Sequence, residues 1–341
     1  MPRPVQNSNE VGVSRSGSDA PRFTAAFSPI TAARKTYQTM YVTKPRLFFD
    51  HALQNHFAVP SFNVCNLEMA RAVIVAAESE DAPVMLQSYF GDLYYGGLDV
   101  LPPLLRLLAE QARVPVLVHQ DHPDKDDLIL QTLRRGYYSV MYDGGHLPLE
   151  DNIKGAAYIA KIAHAMGAAV EAELGLFGGG EGSHARVEKA SADESRRLVE
   201  ETGIDTLAPA VGSVHGGSSR LDLPLLEAIA GVTTAPLVLH GGSGIHPDDL
   251  REALQLNVVK VNIGADVFRT WVAGLQEGAS LKPRGEEPPH HVMMNHASAK
   301  VSDVARRKLS LMGASGQANP LRQKLQEQRA DLLATSGPLP V

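Results

Sequence analysis

The sequence contains a single cysteine, Cys65, among 341 residues. One thiol cannot form an internal disulfide, so a disulfide-stabilised scaffold is excluded and we expect a protein of the reducing cytoplasm. The chain has no run near the roughly 18 apolar residues that a membrane-spanning helix needs, so we expect no membrane partner. The formal net charge is −6, and this lack of excess positive charge gives no reason to expect nucleic-acid binding.

What is present is the composition of a globular protein with a large core, with 44% hydrophobic and 21% charged residues. Residues 1–45 differ, because they are rich in Ser, Pro, Ala and Arg and show no sustained apolar period. We interpret them as a disordered N-terminal extension. A transit peptide is the alternative, but Glu10 and Asp19 argue against it because such peptides are poor in acidic residues.

From about residue 57 onward, apolar runs alternate with helical patterns in eight units. The runs are continuously apolar, which is typical of parallel strands covered on both faces. Eight successive β/α units predict an α/β protein with a TIM (β/α)8 barrel over residues 46–315, followed by a C-terminal helix and tail over residues 316–341. A doubly wound open sheet is the alternative. The predicted strands are FAVPSFNV, PVMLQSY, VPVLVHQDH, SVMYDG, AAVEAELG, TLAPAVG, PLVLHGGSG and VVKVNIGAD.

Three histidines stand where predicted strands end: His122 after strand 3, His215 after strand 6 and His240 after strand 7. In an α/β barrel the carboxyl ends of all strands open into one shared mouth, where the active site lies. Three neutral imidazoles in one mouth would form a catalytic zinc site with three protein ligands and one open position. One such residue alone is more often a hydrogen-bonded loop residue, but the set predicts a metal site.

Carboxylates also follow strands 4 and 5, as Asp143 and Glu173. Each ligating imidazole needs an acceptor for its other N–H, and these two side chains are placed to accept it or to hold a second metal. His119 lies within the body of strand 3, two residues before Asp121. We therefore expect His119 to be a hydrogen-bonded residue of the barrel interior rather than a metal ligand.

Two glycine-containing turns follow the last two strands, HGGSG (240–244) and VNIGAD (261–266). TIM barrels commonly bind phosphate at these positions, because glycines let backbone N–H groups converge on an anion. Ser243 adds a hydroxyl to the first turn. Glycine-rich turns are common elsewhere, so it is their place after strands 7 and 8 that favours an anion site.

The loop after strand 5, LFGGGEGSHARVEKAS (176–191), is long and rich in glycine. Its composition predicts a mobile lid over the mouth of the barrel. Glu181 is the first charged residue of this loop and would swing in as a base. The alternative is a solvated loop glutamate.

Together these motifs resemble the class II, zinc-dependent fructose-/tagatose-bisphosphate aldolase family, and the tagatose-type branch more than the longer fructose-type branch. The resemblance covers roughly residues 46–315 in the order and spacing of the family. The motifs that carry it are FNVCNLE (62–68), HQDH (119–122), SVMYDGGHL (139–147), VEAELG (170–175), VGSVHG (211–216), LVLHGGSG (237–244) and KVNIGAD (260–266).

The resemblance implies reversible retro-aldol cleavage of a ketose (bis)phosphate, or a related ketose, to dihydroxyacetone phosphate or an analogue and an aldehyde. It implies one zinc ion per chain, with a possible monovalent or second divalent cation, and a homodimer or homotetramer with a small sugar as substrate. It makes Asp121 the acid/base on the aldehyde side and Glu181 the base that moves the C3 proton. The zinc ligands implied are His122, His215 and His240, and the contacts to the dihydroxyacetone phosphate half are Gly216, Gly241, Gly242, Ser243 and Asn262.

The sequence departs from the family at four places, the last of which is a shorter and less acidic loop after strand 5. Ala265 stands where the family usually has threonine, and the segment after His215 lacks the usual lysine, although Arg220 is nearby. Tyr89 replaces a usual Ser or Thr after strand 2, with Ser88 beside it. Because the first two losses fall at the phosphate site, our hypothesis is an intact metal and proton-transfer apparatus acting on a changed substrate, without a C1 phosphate or with another acidic group.

Two other functions remain as alternatives. A zinc ion held by three histidines can also activate water, so a hydrolase would use the same mouth. A barrel that has lost catalysis and binds a ligand or partner is the non-enzymatic alternative, and the presence of all three histidines with Asp121 and Glu181 argues against it. Metal content would separate the inactive barrel from the two enzymes, and product identity would separate the enzymes.

Overall fold

The structure is a computed structural model that describes residues 39–178, 188–281 and 287–335. Eight parallel strands pair in chain order, and β1 pairs with β8 to close the sheet. The predicted TIM (β/α)8 barrel is therefore confirmed, and closure excludes the open sheet. The strands are β1 (Val59–Asn63), β2 (Val84–Ser88), β3 (Val116–Gln120), β4 (Ser139–Tyr142), β5 (Ala169–Leu174), β6 (Thr206–Pro209), β7 (Leu237–Leu239) and β8 (Val258–Ile263).

Every residue of these eight strands is buried. Burial on both faces is the physical reason why the strands read as continuous apolar runs. The helices before and between the strands are α1 (Pro45–Gln54), α2 (Leu67–Ser79), α3 (Phe90–Gly96), α4 (Leu101–Gln111), α5 (Asp126–Arg134), α6 (Leu149–Ala165), α7 (Ala192–Thr202), α8 (Leu223–Ala230) and α9 (Pro247–Ala253). After the last strand follow α10 (Ala265–Ala279), α11 (His290–Leu311) and α12 (Ala318–Thr335).

Local signals in the sequence set several helix starts. The side chain of Asn66 accepts the Met69 N–H at 2.9 Å, and that of Ser191 accepts the Glu194 N–H at 3.3 Å. Each of these caps satisfies one of the free N–H groups in the first turn of its helix, which contributes about 1 kcal/mol. Within the described ranges, no helix has the length and apolarity needed to cross a bilayer.

The segment just before α1 packs against the barrel. The Val42 N–H donates to the Val116 carbonyl and the Val116 N–H donates to the Met40 carbonyl, both at 2.9 Å. Met40, Tyr41 and Val42 are buried. Residues 40–42 therefore pair with the start of β3, although the sequence analysis assigned them to the N-terminal extension. Residues 1–38 of that predicted extension lie outside the described residues.

Helices α10 and α11 approach each other closely along a pair of glycines. A Cβ atom on Gly274 would lie 2.6 Å from Cα of Ala297, and one on Gly278 would lie 2.9 Å from Cα of Met293. This close packing brings the last turns of α11 to the end of β7, where Lys308 lies 3.4 Å from the Gly242 carbonyl oxygen. The helix pair thus supports the turns that form one side of the barrel mouth.

Candidate active site

The three histidines at the ends of β3, β6 and β7 lie together in the barrel mouth. Ligand atoms of His122, His215 and His240 fall within 4.8 Å of one another. Ring centroids are 5.4 Å apart for His122 and His215, 4.8 Å for His122 and His240, and 5.9 Å for His215 and His240. His122 has a positive φ of 29°, a sparsely populated conformation for a non-glycine residue of the kind that occurs at functional sites.

In two of these rings, one nitrogen forms a hydrogen bond with a carboxylate and the other nitrogen forms none among the described residues. Nδ1 of His122 lies 2.7 Å from Oδ2 of Asp143, and Nε2 of His240 lies 3.0 Å from Oε1 of Glu171. Both carboxylates are acceptors, so these two nitrogens carry the proton. Nε2 of His122 and Nδ1 of His240 are buried and find no hydrogen-bond partner among the described residues. Two buried ring nitrogens without a partner, close to each other, fit a divalent metal such as zinc, which would displace any proton from them.

A second possible cation position shares one of these histidines. His122, Asp143 and Glu173 also bring ligand atoms within 4.8 Å of one another. Oε2 of Glu173 is buried without a hydrogen-bond partner in the described part of the chain and lies 3.2 Å from Nδ1 of His240. Of the two carboxylates expected to orient ligating imidazoles, Asp143 accepts such an N–H. At His240 that acceptor is Glu171, which sequence reasoning did not include.

Burial and charge set the protonation of the three rings. Burial, together with the neighbouring His122, lowers the pKa of His215 to about 4 and the pKa of His240 well below its ordinary value. Burial also acts against a charge on His122, but the carboxylates of Asp121 and Asp143 outweigh it and raise its pKa to about 10. Two of the three rings are therefore neutral near pH 7, the form that binds a metal.

The carboxylates near the rings are also perturbed. Burial, with the nearby charge of Asp143, raises the pKa of Glu173 well above its ordinary value. Burial favours the neutral form of Asp143 as well, but its hydrogen bond with His122 holds the pKa of Asp143 below the usual value. The two acids thus respond oppositely to one environment, because only Asp143 has a hydrogen-bonded imidazole as partner.

Asp121 is buried beside His122 and is held by three side-chain amides. Asn262 donates to its Oδ1 at 3.0 Å, while Gln87 and Asn63 donate to its Oδ2 at 3.0 Å and 3.2 Å. These donors come from the carboxyl ends of β8, β2 and β1. They fix the orientation of a carboxylate at the mouth, and the sequence analysis named only Asn262 among them.

A buried ion pair lies below the histidines. Nζ of Lys260 lies 2.7 Å from Oε2 of Glu171 and 3.2 Å from Nε2 of His119. The opposite nitrogen of His119, Nδ1, lies 2.7 Å from Oγ of Ser139. His119 is therefore a hydrogen-bonded residue of the barrel interior, as its place in the strand body predicts. Burial, with the charge of Lys260 beside it, lowers the pKa of His119 well below its ordinary value.

The predicted substrate contacts lie where the turns after β6, β7 and β8 meet. The Gly242 N–H donates to the Asn262 carbonyl at 3.0 Å, and Oγ of Ser243 accepts the Asp266 N–H at 3.1 Å. Gly241 has a φ of +69°, and a Cβ atom there would lie 2.5 Å from the Val214 carbonyl oxygen. The glycine at 241 is thus required both by its backbone conformation and by the close approach of the strand 6 turn.

The basic residues near these turns differ from those expected. Arg220 forms two contacts with Asp249, at 2.7 Å and 2.9 Å, and so is engaged at the start of α9. Arg269 of α10 instead donates from Nη2 to the Gly216 carbonyl oxygen at 2.6 Å. Lys308 lies 2.8 Å from Oδ2 of Asp266. Sequence reasoning missed Arg269, and its one available signal was a position one helical turn after Ala265.

Two further predictions concern loops at the mouth. Glu181 lies outside the described residues, while the flanks of its loop pair through Leu176 and Glu188, with N–H to oxygen distances of 2.8 Å and 3.1 Å. After β2, the ring of Tyr89 covers Gly91, where a Cβ atom would lie 2.5 Å from the Tyr89 hydroxyl oxygen. Oγ of Ser88 donates to the Val64 carbonyl at 3.2 Å, so this hydroxyl is engaged with the backbone.

A cavity of about 350 Å³ opens beside His122, on the side of β3 and β4. Its lining includes His122, Asp143, Phe90, Lys125 and His146. The mouth of the barrel therefore has room for a small molecule next to the proposed metal position.

Comparison with known proteins gives one consistent result. Residues 43–317 match the family model described as fructose-bisphosphate aldolase class-II. A fructose-bisphosphate aldolase of Streptococcus pyogenes serotype M1 is 42% identical over 236 residues, which cover 67% of this chain and 80% of that protein. One of Thermus caldophilus is 34% identical over 293 residues, covering 77% of this chain and 95% of that protein. The crystal structure of the YdjI aldolase from Escherichia coli K12 superposes with a TM-score of 0.72 at 29% identity, covering 81% of this chain and 98% of that chain.

Proposed function

Because the chain belongs to the class II fructose-bisphosphate aldolase family and is thereby a carbon–carbon lyase, we propose that it cleaves a ketose phosphate reversibly into dihydroxyacetone phosphate and an aldehyde. One observation carries this proposal. Ligand atoms of His122, His215 and His240 lie within 4.8 Å of one another, directly beside the amide-held carboxylate of Asp121.

The three histidines would hold the zinc ion on which class II aldolases in general depend. Asp143 orients His122 and Glu171 orients His240, each by accepting the N–H of the nitrogen that faces away from the metal. When bound, zinc supplies a Lewis acid that polarises the carbonyl of the substrate. Glu173, whose Oε2 finds no hydrogen-bond partner among the described residues, would help to hold that ion or, together with Asp143, a second divalent cation.

Asp121 is the proposed acid/base for the hydroxyl at the cleaved bond. As the bond between C3 and C4 breaks, Asp121 takes the proton of the C4 hydroxyl, C4 becomes the aldehyde carbon, and the bonding electron pair passes toward the C2 carbonyl. In the condensation direction Asp121 returns this proton. Such positioned proton transfer contributes about 10²–10⁴ in rate. Glu181 is the proposed source of the proton that C3 gains during cleavage.

The substrate half that keeps C1 would lie over the turns after β6, β7 and β8. Ser243 can donate its hydroxyl proton, because its oxygen accepts the Asp266 N–H. Gly216 and Gly241 would present backbone N–H groups to an anion, whereas the Gly242 N–H is already donated to the Asn262 carbonyl at 3.0 Å. The amide of Asn262 lies between this side and Asp121, to which it donates at 3.0 Å.

Two observations bear on the choice of ketose. The relatives from Streptococcus pyogenes and Thermus caldophilus are fructose-bisphosphate aldolases, so fructose 1,6-bisphosphate is the first substrate to consider, and the tagatose-type motifs make its C4 epimer the second. Ala265 has no hydroxyl and the segment after His215 has no lysine. Because these two groups are missing from the proposed phosphate site, a non-phosphorylated or acidic ketose remains the alternative class of substrate.

The test is cleavage of fructose and tagatose 1,6-bisphosphate by the purified full chain, followed as dihydroxyacetone phosphate released. We expect release that a chelator abolishes and added zinc restores. Absence of release from protein that holds one zinc per chain would contradict the proposal and shift attention to ketoses without a C1 phosphate. Hydrolytic products would identify the hydrolase instead, and metal binding without turnover of any ketose would identify the inactive barrel.

We also propose that the enzyme acts in the cytoplasm as a homodimer or homotetramer, which rests on the resemblance to the family. Light scattering after size-exclusion chromatography would show two or four times the mass of one chain. A mass of one chain across the micromolar range would contradict the oligomer.

A further inference from the structure

Arg269 places a guanidinium group against the turn that follows β6. Its Nη2 donates to the Gly216 carbonyl oxygen at 2.6 Å. A Cβ atom built on Gly216 would lie 3.4 Å from that nitrogen and 3.8 Å from Cβ of Ala265. The turn after β6, the first residue of α10 and a guanidinium therefore meet at one place, beside residues proposed to contact the C1 end of the substrate.

The helix geometry explains how an arginine one turn into α10 reaches this position. Arg269 is four residues after Ala265, so both side chains lie on the same face of α10. Side chains on a helix lean toward its N-terminus, which carries the guanidinium of Arg269 back toward the start of α10. The methyl group of Ala265 takes little room on that path, where a β-branched threonine would occupy more. The alanine that departs from the family pattern thus accommodates the arginine.

The guanidinium of Arg269 has more N–H donors than its contact with Gly216 uses. Arginine offers five N–H groups in a planar fork, and in the described residues the Gly216 carbonyl is the one acceptor that Arg269 contacts. The side chain is exposed at the surface of the mouth. The remaining donors can therefore form the paired, charge-assisted hydrogen bonds for which arginine suits phosphate.

The neighbouring charges favour an anion at this place. Asp266 would repel one, but Lys308 lies 2.8 Å from its Oδ2 and neutralises it. The N-terminus of α10 adds the positive end of the helix dipole, although the Asp266 N–H in its first turn is donated to Oγ of Ser243. Arg220, the basic residue in the loop after His215, is engaged in its two contacts with Asp249. The positive charge available to a ligand here therefore comes from Arg269.

We propose that Arg269 binds the C1 phosphate of the substrate and takes the place of the basic residue missing after His215. The inference rests on the proposed function for the identity of the ligand, but the binding of a phosphate can be measured without turnover. It makes the chain specific for ketoses that carry a phosphate at C1, and so favours the phosphorylated class over non-phosphorylated and acidic ketoses.

The experiment compares the zinc-loaded full chain with Arg269→Met, which keeps the apolar stem, and Arg269→Lys, which keeps the charge but loses the fork. Arg306→Met removes an exposed arginine of α11 that pairs with Asp303 and is the matched control. Titration calorimetry with dihydroxyacetone phosphate, and with inorganic phosphate as a second probe, gives the dissociation constants. We expect binding about 10- to 100-fold weaker in Arg269→Met, an intermediate loss in Arg269→Lys, and no change in Arg306→Met.

Steady-state kinetics distinguish phosphate binding by Arg269 from a purely structural role, which would affect all substrates alike. For a ketose 1-phosphate, Arg269→Met should raise KM with little change in kcat, and for a ketose without C1 phosphate it should leave kcat/KM unchanged. Equal affinity of wild type and Arg269→Met for dihydroxyacetone phosphate would overturn the inference. If the wild type binds this compound more tightly than Arg269→Met yet cleaves no ketose phosphate, the inference stands and the proposed reaction is the part that fails.

Discussion

Nζ of Lys260 lies 2.7 Å from Oε2 of Glu171 inside the barrel, and both side chains are buried. The other oxygen of the same carboxylate lies 3.0 Å from Nε2 of His240. One carboxylate therefore joins a buried cation to a histidine of the proposed metal site. The same ion pair therefore contributes to the stability of the barrel and to the orientation of the His240 ring, whose other nitrogen faces the mouth.

The first prediction concerns the free energy of unfolding. Lys260→Met removes the cation and leaves Glu171 buried without its countercharge, so we expect a loss of about 3–5 kcal/mol. The double variant Lys260→Met with Glu171→Gln removes both charges and should lose less than the single one. Denaturant unfolding of the metal-free proteins measures both values. A double variant as unstable as the single variant would show that the charge pair is not what stabilises this region.

The second prediction concerns metal affinity. Lys260 and His240 contact different oxygens of the Glu171 carboxylate. In Glu171→Gln an NH₂ donor replaces one of these oxygens, so one of the two donors loses its acceptor and the orientation of His240 is lost part of the time. We expect zinc to bind about 10- to 100-fold more weakly, the usual cost of removing such an outer partner. Competition with a chromophoric chelator measures the affinity. Glu227→Gln, at an exposed glutamate of α8, is the control, and equal affinity of the two variants would contradict the prediction.

The sequence predicts the barrel well because each unit is defined by local patterns. The eight apolar runs contain all eight strands, and β4, β6 and β8 begin at the first residue of the predicted runs. The pairing of residues 40–42 with β3 was not predictable, since a short segment outside the alternation gives no sign of the strand it joins. Helix α3, between β2 and α4, was likewise not separated from the loop.

The contacts within the site are less predictable, because they depend on how deep in the barrel each side chain lies. Glu171 and Glu173 are two residues apart on β5 and so face the same side. Alternation alone cannot say which one meets His240 through its N–H and which one lies nearer the mouth. Lys260 reads as part of an apolar strand, and its partner Glu171 is distant in sequence. Such pairs become visible only when strands β5, β7 and β8 are placed in register.

The third prediction tests the role of Asp121. Asp121→Asn keeps the size of the side chain but cannot take the hydroxyl proton, so kcat for cleavage should fall by about 10²–10⁴. Zinc content should stay at one ion per chain, because Asp121 is not among the proposed ligands. Asp127→Asn, at an exposed residue of α5 that bonds Gln131, should retain wild-type kcat. A kcat for Asp121→Asn within tenfold of wild type would assign the proton transfer to another group.

The last prediction distinguishes two reasons why a position requires glycine, namely a left-handed backbone conformation and a lack of space for a Cβ atom. Gly203 and Gly241 have nearly equal φ values, +71° and +69°, but a Cβ atom on Gly203 meets nothing within 4 Å while one on Gly241 lies 2.5 Å from the Val214 carbonyl oxygen. Gly203→Ala should therefore cost only the left-handed strain, about 1–2 kcal/mol. Gly241→Ala should cost about 1–3 kcal/mol more, because the turns after β6 and β7 must move apart.

Denaturant unfolding of the two alanine variants measures this difference directly. Gly241→Ala should in addition raise KM for the phosphorylated substrate, since its turn forms part of the proposed phosphate site, whereas Gly203 lies at the end of α7 away from the mouth. Equal losses of stability in the two variants would mean that the backbone conformation alone requires glycine at 241. A larger loss at 241 together with a raised KM would show that the close approach of Val214 shapes the substrate site.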